Sequence, residues 1–224
     1  QMALKVGKDL QIKFLKNLGL FNKIENLEIY EKGRPQHRSE KYWRDDTVAT
    51  TAYGYGISVT PIHILTAFSA VLNGGIYTPP TLTNKTAPPT SRRVISTQTS
   101  MDMRRLLRDV VIYGSAKKAN IDGYEVAGKT GTANKIEQGK YVRGKNMASF
   151  VAAFPVSDPK YALIVVIDAP KGTKETFNFT TSGWNAVPTG GEIIAKIAPQ
   201  LNIQPNFDLE TQKMKVLSNY VSND

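Results

Sequence analysis

The chain has 224 residues, 41% of them hydrophobic and 21% charged, with a formal net charge of +10 and no cysteine. This composition excludes wholesale disorder and allows one domain with a sizeable core; it also rules out disulfides, thiolate metal sites and cysteine nucleophiles. No run approaches the roughly 18 apolar residues of a membrane span, and Gln1-Met2-Ala3-Leu4-Lys5 does not read as an export signal. The two histidines, His37 and His63, are too few and too isolated for a metal cluster, and they weigh against a Ser-His-Asp triad. The basic residues are scattered, with Lys5, Lys8, Lys13 and Lys16 on one segment and Arg104, Arg105 and Arg108 on another. No aromatic-interleaved basic strand or recognition helix accompanies them, so the expectation is a solvated face and no nucleic-acid partner.

In chain order, Met2, Val6, Leu10, Phe14 and Leu18 recur every fourth residue before Gly19, which predicts one amphipathic helix over 2–18 that begins partway into a domain. Residues 22–47 are polar, with Gly33 and Pro35, and read as a long surface connection. Thr60-Pro61 predicts the start of a second helix, threonine as N-cap and proline in the first turn. Ile64, Leu65, Phe68, Val71 and Leu72 form its stripe, and Asn73-Gly74-Gly75 ends it. The proline- and threonine-rich residues 77–95 predict an extended loop or edge strand. A third helix over about 100–112 carries Met103, Leu106, Leu107, Val110 and Val111 on one face.

Beyond Gly114 the period changes from helix to strand. Tyr124–Ala133, Ala148–Phe154 and Tyr161–Asp168 read as strands, the last a near-continuous apolar run of the kind found in central strands. Ser157-Asp158-Pro159-Lys160 is turn chemistry that joins the last two. A closing helix over 188–198, with Ile193, Ile194 and Ile197, can pack on the sheet. Helices, then an antiparallel meander, then a helix give an α+β fold, an antiparallel sheet packed with helices.

The segment that carries chemistry is Val126-Ala127-Gly128-Lys129-Thr130-Gly131-Thr132-Ala133. Lys-Thr-Gly alone is a weak signal. Here it lies on a strand, is followed at once by threonine, and precedes two more strands and a helix. The arrangement resembles the third signature of serine penicillin-binding proteins and β-lactamases, which follows S-x-x-K and S-x-N. Tyr53-Gly54-Tyr55-Gly56-Ile57-Ser58-Val59-Thr60-Pro61, Leu72-Asn73-Gly74-Gly75-Ile76-Tyr77, Tyr161–Asp168 and Gly190-Gly191-Glu192 resemble class B members of that family. The likeness covers residues 1–205, as the C-terminal portion of a transpeptidase domain truncated on its N-terminal side, and leaves 206–224 as a tail.

The resemblance implies roles for this strand. A substrate peptide can pair with the backbone of an edge strand, and Gly131 leaves room for that approach. Thr130 and Thr132 can bond a terminal carboxylate with Lys129 as its charge partner, and the N–H of Thr132 contributes to an oxyanion hole. Lys129 and Thr132 are thus the catalytic candidates, and Thr130, Gly131 and Thr132 the substrate-binding ones, with no cofactor and no metal.

The nucleophile of the family is the S-x-x-K serine, at the start of a buried helix well upstream. Neither string of that form here fits. Ser115-Ala116-Lys117-Lys118 comes only a few residues before Lys129, and Ser157-Asp158-Pro159-Lys160 holds a proline in a turn. No S-x-N occurs. In the family it directly precedes a helix like 2–18, so Gln1 falls just after it.

The implied reaction is peptidoglycan cross-linking, with stem peptides as substrate and β-lactams as mimics. The segment 129–135 leads into a polar loop that ends in residues 140–150, and this stretch resembles division-specific enzymes, which implies a membrane-anchored protein on the periplasmic face of the inner membrane, working with divisome membrane proteins. A sensor or scaffold module that kept the fold is the alternative. If absent helices cover the sheet, Leu163, Val165 and Ile167 would be left partly uncovered.

Overall fold

The computed structural model describes residues 1–24, 27–84 and 90–207; most of the expected tail, from 208 on, lies outside them. Where the four-residue repeat predicts one helix there are two, α1 (Met2–Val6) and α2 (Lys8–Asn17). Gly7 separates them with φ 80°, a left-handed conformation that glycine takes without a Cβ clash. The stripe is therefore not a core seam: Leu18 is buried, but Met2, Val6, Leu10 and Phe14 are exposed. Ile12 turns inward instead, and beside it Gln11 accepts from Trp43 Nε1 and donates to the Val48 carbonyl, both at 3.0 Å.

Residues 22–47, expected as a surface connection, contain core. Trp43 is 2% exposed and clusters with Ile12 and Val48. Around it lie β1 (Gln36–His37), a 3-10 turn at Glu40–Tyr42 and α3 (Asp45–Ala52). Sparse apolar spacing hid this element, because one buried indole does the work of a stripe. Then β2 (Ile57–Ser58) pairs antiparallel with β1, and α4 (Pro61–Leu72) starts at the expected proline. The Thr60 hydroxyl does not cap the backbone; it lies 2.6 Å from His63 Nδ1, whose Nε2 is 2.9 Å from the Asn22 carbonyl.

Within 77–95, β3 (Ile76–Tyr77) pairs with β4 (Arg92–Arg93). The next helix, α5 (Thr97–Ile112), begins earlier than its apolar face because Ser96 caps it, accepting from Thr99 N at 3.0 Å. Its arginines are not simply a solvated face. Arg104 donates to the carbonyls of Leu72 and Ser157 at 2.6 and 3.2 Å, and Arg108 to that of Val126 at 2.8 Å. Arg92 serves the carbonyl of Asn17 and Arg93 that of Gly74. Part of the positive charge thus caps helix C-termini, where orphan carbonyls and the helix dipole favour it.

The sheet has the order β5 (Ala127–Glu137), β6 (Lys140–Phe154), β7 (Tyr161–Asp168), fully antiparallel. The first two strands run longer than expected, and a register shift at Asn134/Lys135 marks where they continue as a two-stranded arm. Among the described residues β7 pairs only with β6, so it is not central. Its apolar run instead reflects cover on both faces: Leu163, Val165 and Ile167 pack against the core beneath α6 (Ala186–Ile197), and Ala162 joins the cluster of Leu72 and Leu107.

Phe150 and Phe154 anchor the α6 side. Burying such a ring contributes roughly 1.5–3 kcal/mol. Gly190 permits the close approach, since a Cβ there would sit 2.6 Å from the Phe150 ring. Among the described residues no helix is long and apolar enough to cross a membrane.

Candidate active site

β5 is a margin of the sheet. β6 pairs along one side of it, from Ala127↔Ala153 to Glu137↔Lys140, and no other strand pairs with it among the described residues. On the free side the N–H of Asn134 reaches the Tyr55 hydroxyl at 3.4 Å. Residues two apart in a strand turn their N–H and C=O to the same side. Thr132 and Thr130 therefore present their backbone groups to that open edge too. Lys129 Nζ donates to one of them, the Thr130 carbonyl, at 2.9 Å.

Side chains alternate across the strand. Thr130 and Thr132, opposite Phe150 and Ala148, lie on the α6 side, whereas Lys129 and Gly131 lie opposite Val151 and Ser149 on the other. The sequence-predicted residues are thus adjacent along one edge but do not share one face. Gly131 has a packing reason of its own: a Cβ there would meet Ser149 Oγ at 2.6 Å.

On the α6 side the two threonines border a cleft of about 440 Å³ between β5 and the 181–184 turn. Ser115, Lys117 and Lys118 close one wall, and Thr181, Ser182, Gly183 and Trp184 the other. The Lys118 ammonium sits 3.7 Å from the Trp184 ring centroid, against which Phe179 stacks and Phe177 packs edge-on. Ser115 Oγ is 2.8 Å from Thr130 Oγ1, and Ser182 N–H donates to Thr132 Oγ1 at 3.1 Å. No hydrogen bond joins Ser115 to Lys118 among the described residues. Ser115 follows the end of α5 and does not open a helix of its own, and the Lys118 ammonium lies over the Trp184 ring.

At the far end of the strand, Tyr55 packs on Tyr53 at 5.8 Å and on Tyr141 at 5.2 Å. A ligand lying along the free edge would meet backbone donors, two hydroxyls and a lysine, with aromatic surface at one end. Sequence reasoning did not place Ser115, Ser182, Trp184 or Tyr141 here. Only the polar run Thr180-Thr181-Ser182 before a helix was a visible signal, and such runs are ordinary helix starts.

Comparison with known proteins agrees with the geometry. Residues 1–183 match the model of the penicillin binding protein transpeptidase domain. The chain is 36% identical to the probable peptidoglycan D,D-transpeptidase FtsI of Caulobacter vibrioides, over 94% of this chain and 37% of that protein. It is 34% identical to stage V sporulation protein D of Bacillus subtilis, over 92% of this chain and 33% of that protein. The chain spans about a third of the length of these curated relatives. Among solved structures, the apo transpeptidase domain of Burkholderia pseudomallei penicillin-binding protein 3 superposes with TM-score 0.81 at 30% identity, over 91% of this chain and 61% of that one. Penicillin binding protein 3 from Mycobacterium tuberculosis, complexed with ampicillin, gives TM-score 0.81 at 23% identity, over 91% and 48%, and speaks to the fold alone. An α+β fold with a Lys-Thr-Gly edge strand, a family match over most of the residues and relatives above 30% identity lead to one conclusion: the chain belongs to the penicillin-binding protein transpeptidase domain family, as part of a class B member.

Proposed function

We propose that this chain is the Lys-Thr-Gly-bearing part, residues 1–205, of a peptidoglycan D,D-transpeptidase, and that residues 206–224 are a tail. The observation that carries the reading is the edge of β5 that no strand covers among the described residues, where the backbone groups of Thr130 and Thr132 face away from β6 and Lys129 Nζ donates to the Thr130 carbonyl. A stem peptide pairs with that edge as an added strand. Lys129 and the hydroxyls of Thr130 and Thr132 hold its terminal carboxylate.

The nucleophile is the serine of an S-x-x-K segment outside these 224 residues. Its oxygen bonds to the penultimate D-Ala carbonyl carbon while the serine proton passes to a base. The tetrahedral oxyanion is held by the N–H of Thr132 and of the serine itself, a type of donor worth about 3–4 kcal/mol. Collapse breaks the C–N bond, and terminal D-Ala leaves with a proton. An amine from a neighbouring strand then attacks the ester, forms the cross-link and frees the serine. β-Lactams acylate the same serine, because their carboxylate and strained amide imitate the donor.

The test is covalent labelling with fluorescent penicillin. The full-length protein should label, and the 224-residue chain alone should not. A label mapped to Ser115 or Ser157 would sink the assignment of the nucleophile. In the full-length protein Lys129→Ala should slow acylation about ten- to a hundredfold, the loss expected for a charged hydrogen bond. A rate within about twofold of wild type would remove Lys129 from the site. A full-length protein that never labels would instead be a sensor or scaffold.

A further inference from the structure

The two hydroxyls on the cleft side of β5 are each met from a different loop. Ser115, just after α5, bonds Thr130, and Ser182, just before α6, bonds Thr132. The second loop is anchored, since buried Ser182 donates its own hydroxyl to the Ser149 carbonyl at 2.6 Å. The loops also touch, because a Cβ on Gly183 would lie 3.1 Å from the Ser115 carbonyl.

A hydroxyl gives one proton and accepts at two lone pairs. The Ser182 N–H can only donate, so it occupies a lone pair of Thr132 Oγ1 and leaves the Thr132 proton for another acceptor. Ser115 does the same for Thr130 when its hydroxyl is the donor. Both threonines then offer O–H groups on the same side of the strand, two residues apart, the spacing that suits the two oxygens of one carboxylate. Donors already aimed cost no reorganisation when the anion arrives.

We propose that Ser115 and Ser182 are positioning residues that orient Thr130 and Thr132 as a paired O–H donor for the terminal carboxylate of the acyl donor. This rests on the transpeptidase reading above and adds to it a role for Ser115 that is supporting and not nucleophilic.

The experiment uses the full-length protein and two probes, benzylpenicillin and its methyl ester, with acylation rates for wild type, Ser115→Ala and Ser115→Thr. Ser115→Ala should lose about three- to tenfold with the acid and less than about twofold with the ester, the difference one hydrogen bond makes to a carboxylate. Ser115→Thr, which keeps the hydroxyl, should recover most of the loss. Equal losses with both probes, or an unchanged rate with the acid, would overturn the proposal. A wild-type protein that reacts with neither probe would sink the transpeptidase reading and this inference with it. Wild type that reacts normally beside an indifferent Ser115→Ala would sink the inference alone.

Discussion

The Tyr55 hydroxyl accepts the backbone N–H of Asn134 at 3.4 Å, across 79 residues of sequence. It ties the loop after α3 to the free edge of β5, just past the Lys-Thr-Gly-Thr segment. Removing it with Tyr55→Phe in the full-length protein should raise the hydrogen-exchange rate of the Asn134 amide. Acylation by benzylpenicillin should slow by about two- to tenfold, the worth of one net hydrogen bond. Unchanged Asn134 protection would show that the loop is held by its aromatic contacts with Tyr53 and Tyr141.

Gly190 faces the Phe150 ring with no room for a methyl group. Alanine normally favours a helix interior over glycine by about 1 kcal/mol. Here overpacking, at about 1–3 kcal/mol, should win. Gly190→Ala should therefore melt several degrees below wild type. A higher melting temperature would mean that α6 can shift away from the sheet at little cost.

Burial pushes the Tyr77 phenol above its ordinary pKa of 10.0, and the Arg92 guanidinium, 4.1 Å from the ring centroid, partly opposes the shift. The folded state thus holds this proton more tightly than the unfolded chain does. The resulting stability is fully present below about pH 10 and is lost as pH rises through the folded value. Tyr77→Phe should show a smaller loss of stability than wild type between pH 9 and about pH 11 in denaturant titrations. Parallel curves for the two proteins would place Tyr77 in contact with water.

The proposed role in division, which the presence of the FtsI of Caulobacter vibrioides among the relatives motivates, can be tested in cells. Depletion of the full-length protein should give long undivided filaments under the microscope. Round, swollen cells would assign it to elongation. The charge of +10 suits a position near anionic lipid and wall polymer in either case.

Sequence alone determined much of this protein. Proline at 61, the strand period from Ala148 and the apolar run to Asp168 are local signals, so they marked the start of α4, all of β7 and only the second half of β6, whose first residues, from Lys140, are too polar to read as strand. Lys129, Thr130, Gly131 and Thr132 could be proposed from sequence because the motif is contiguous, and the structure adds that they follow one another along the edge strand β5. Tertiary structure decided what depends on partners distant in sequence. Trp43 became core only through Gln11 and Val48, and Gly7 split a helix that looked continuous because backbone φ is invisible in a hydrophobic repeat. The strand period put Thr130 and Thr132 on one face, but nothing local said that Ser115 and Ser182 would arrive there from loops about 67 residues apart. That convergence follows from α5 and the short turn before α6 both packing against β5, and only the folded chain brings those groups within hydrogen-bonding distance.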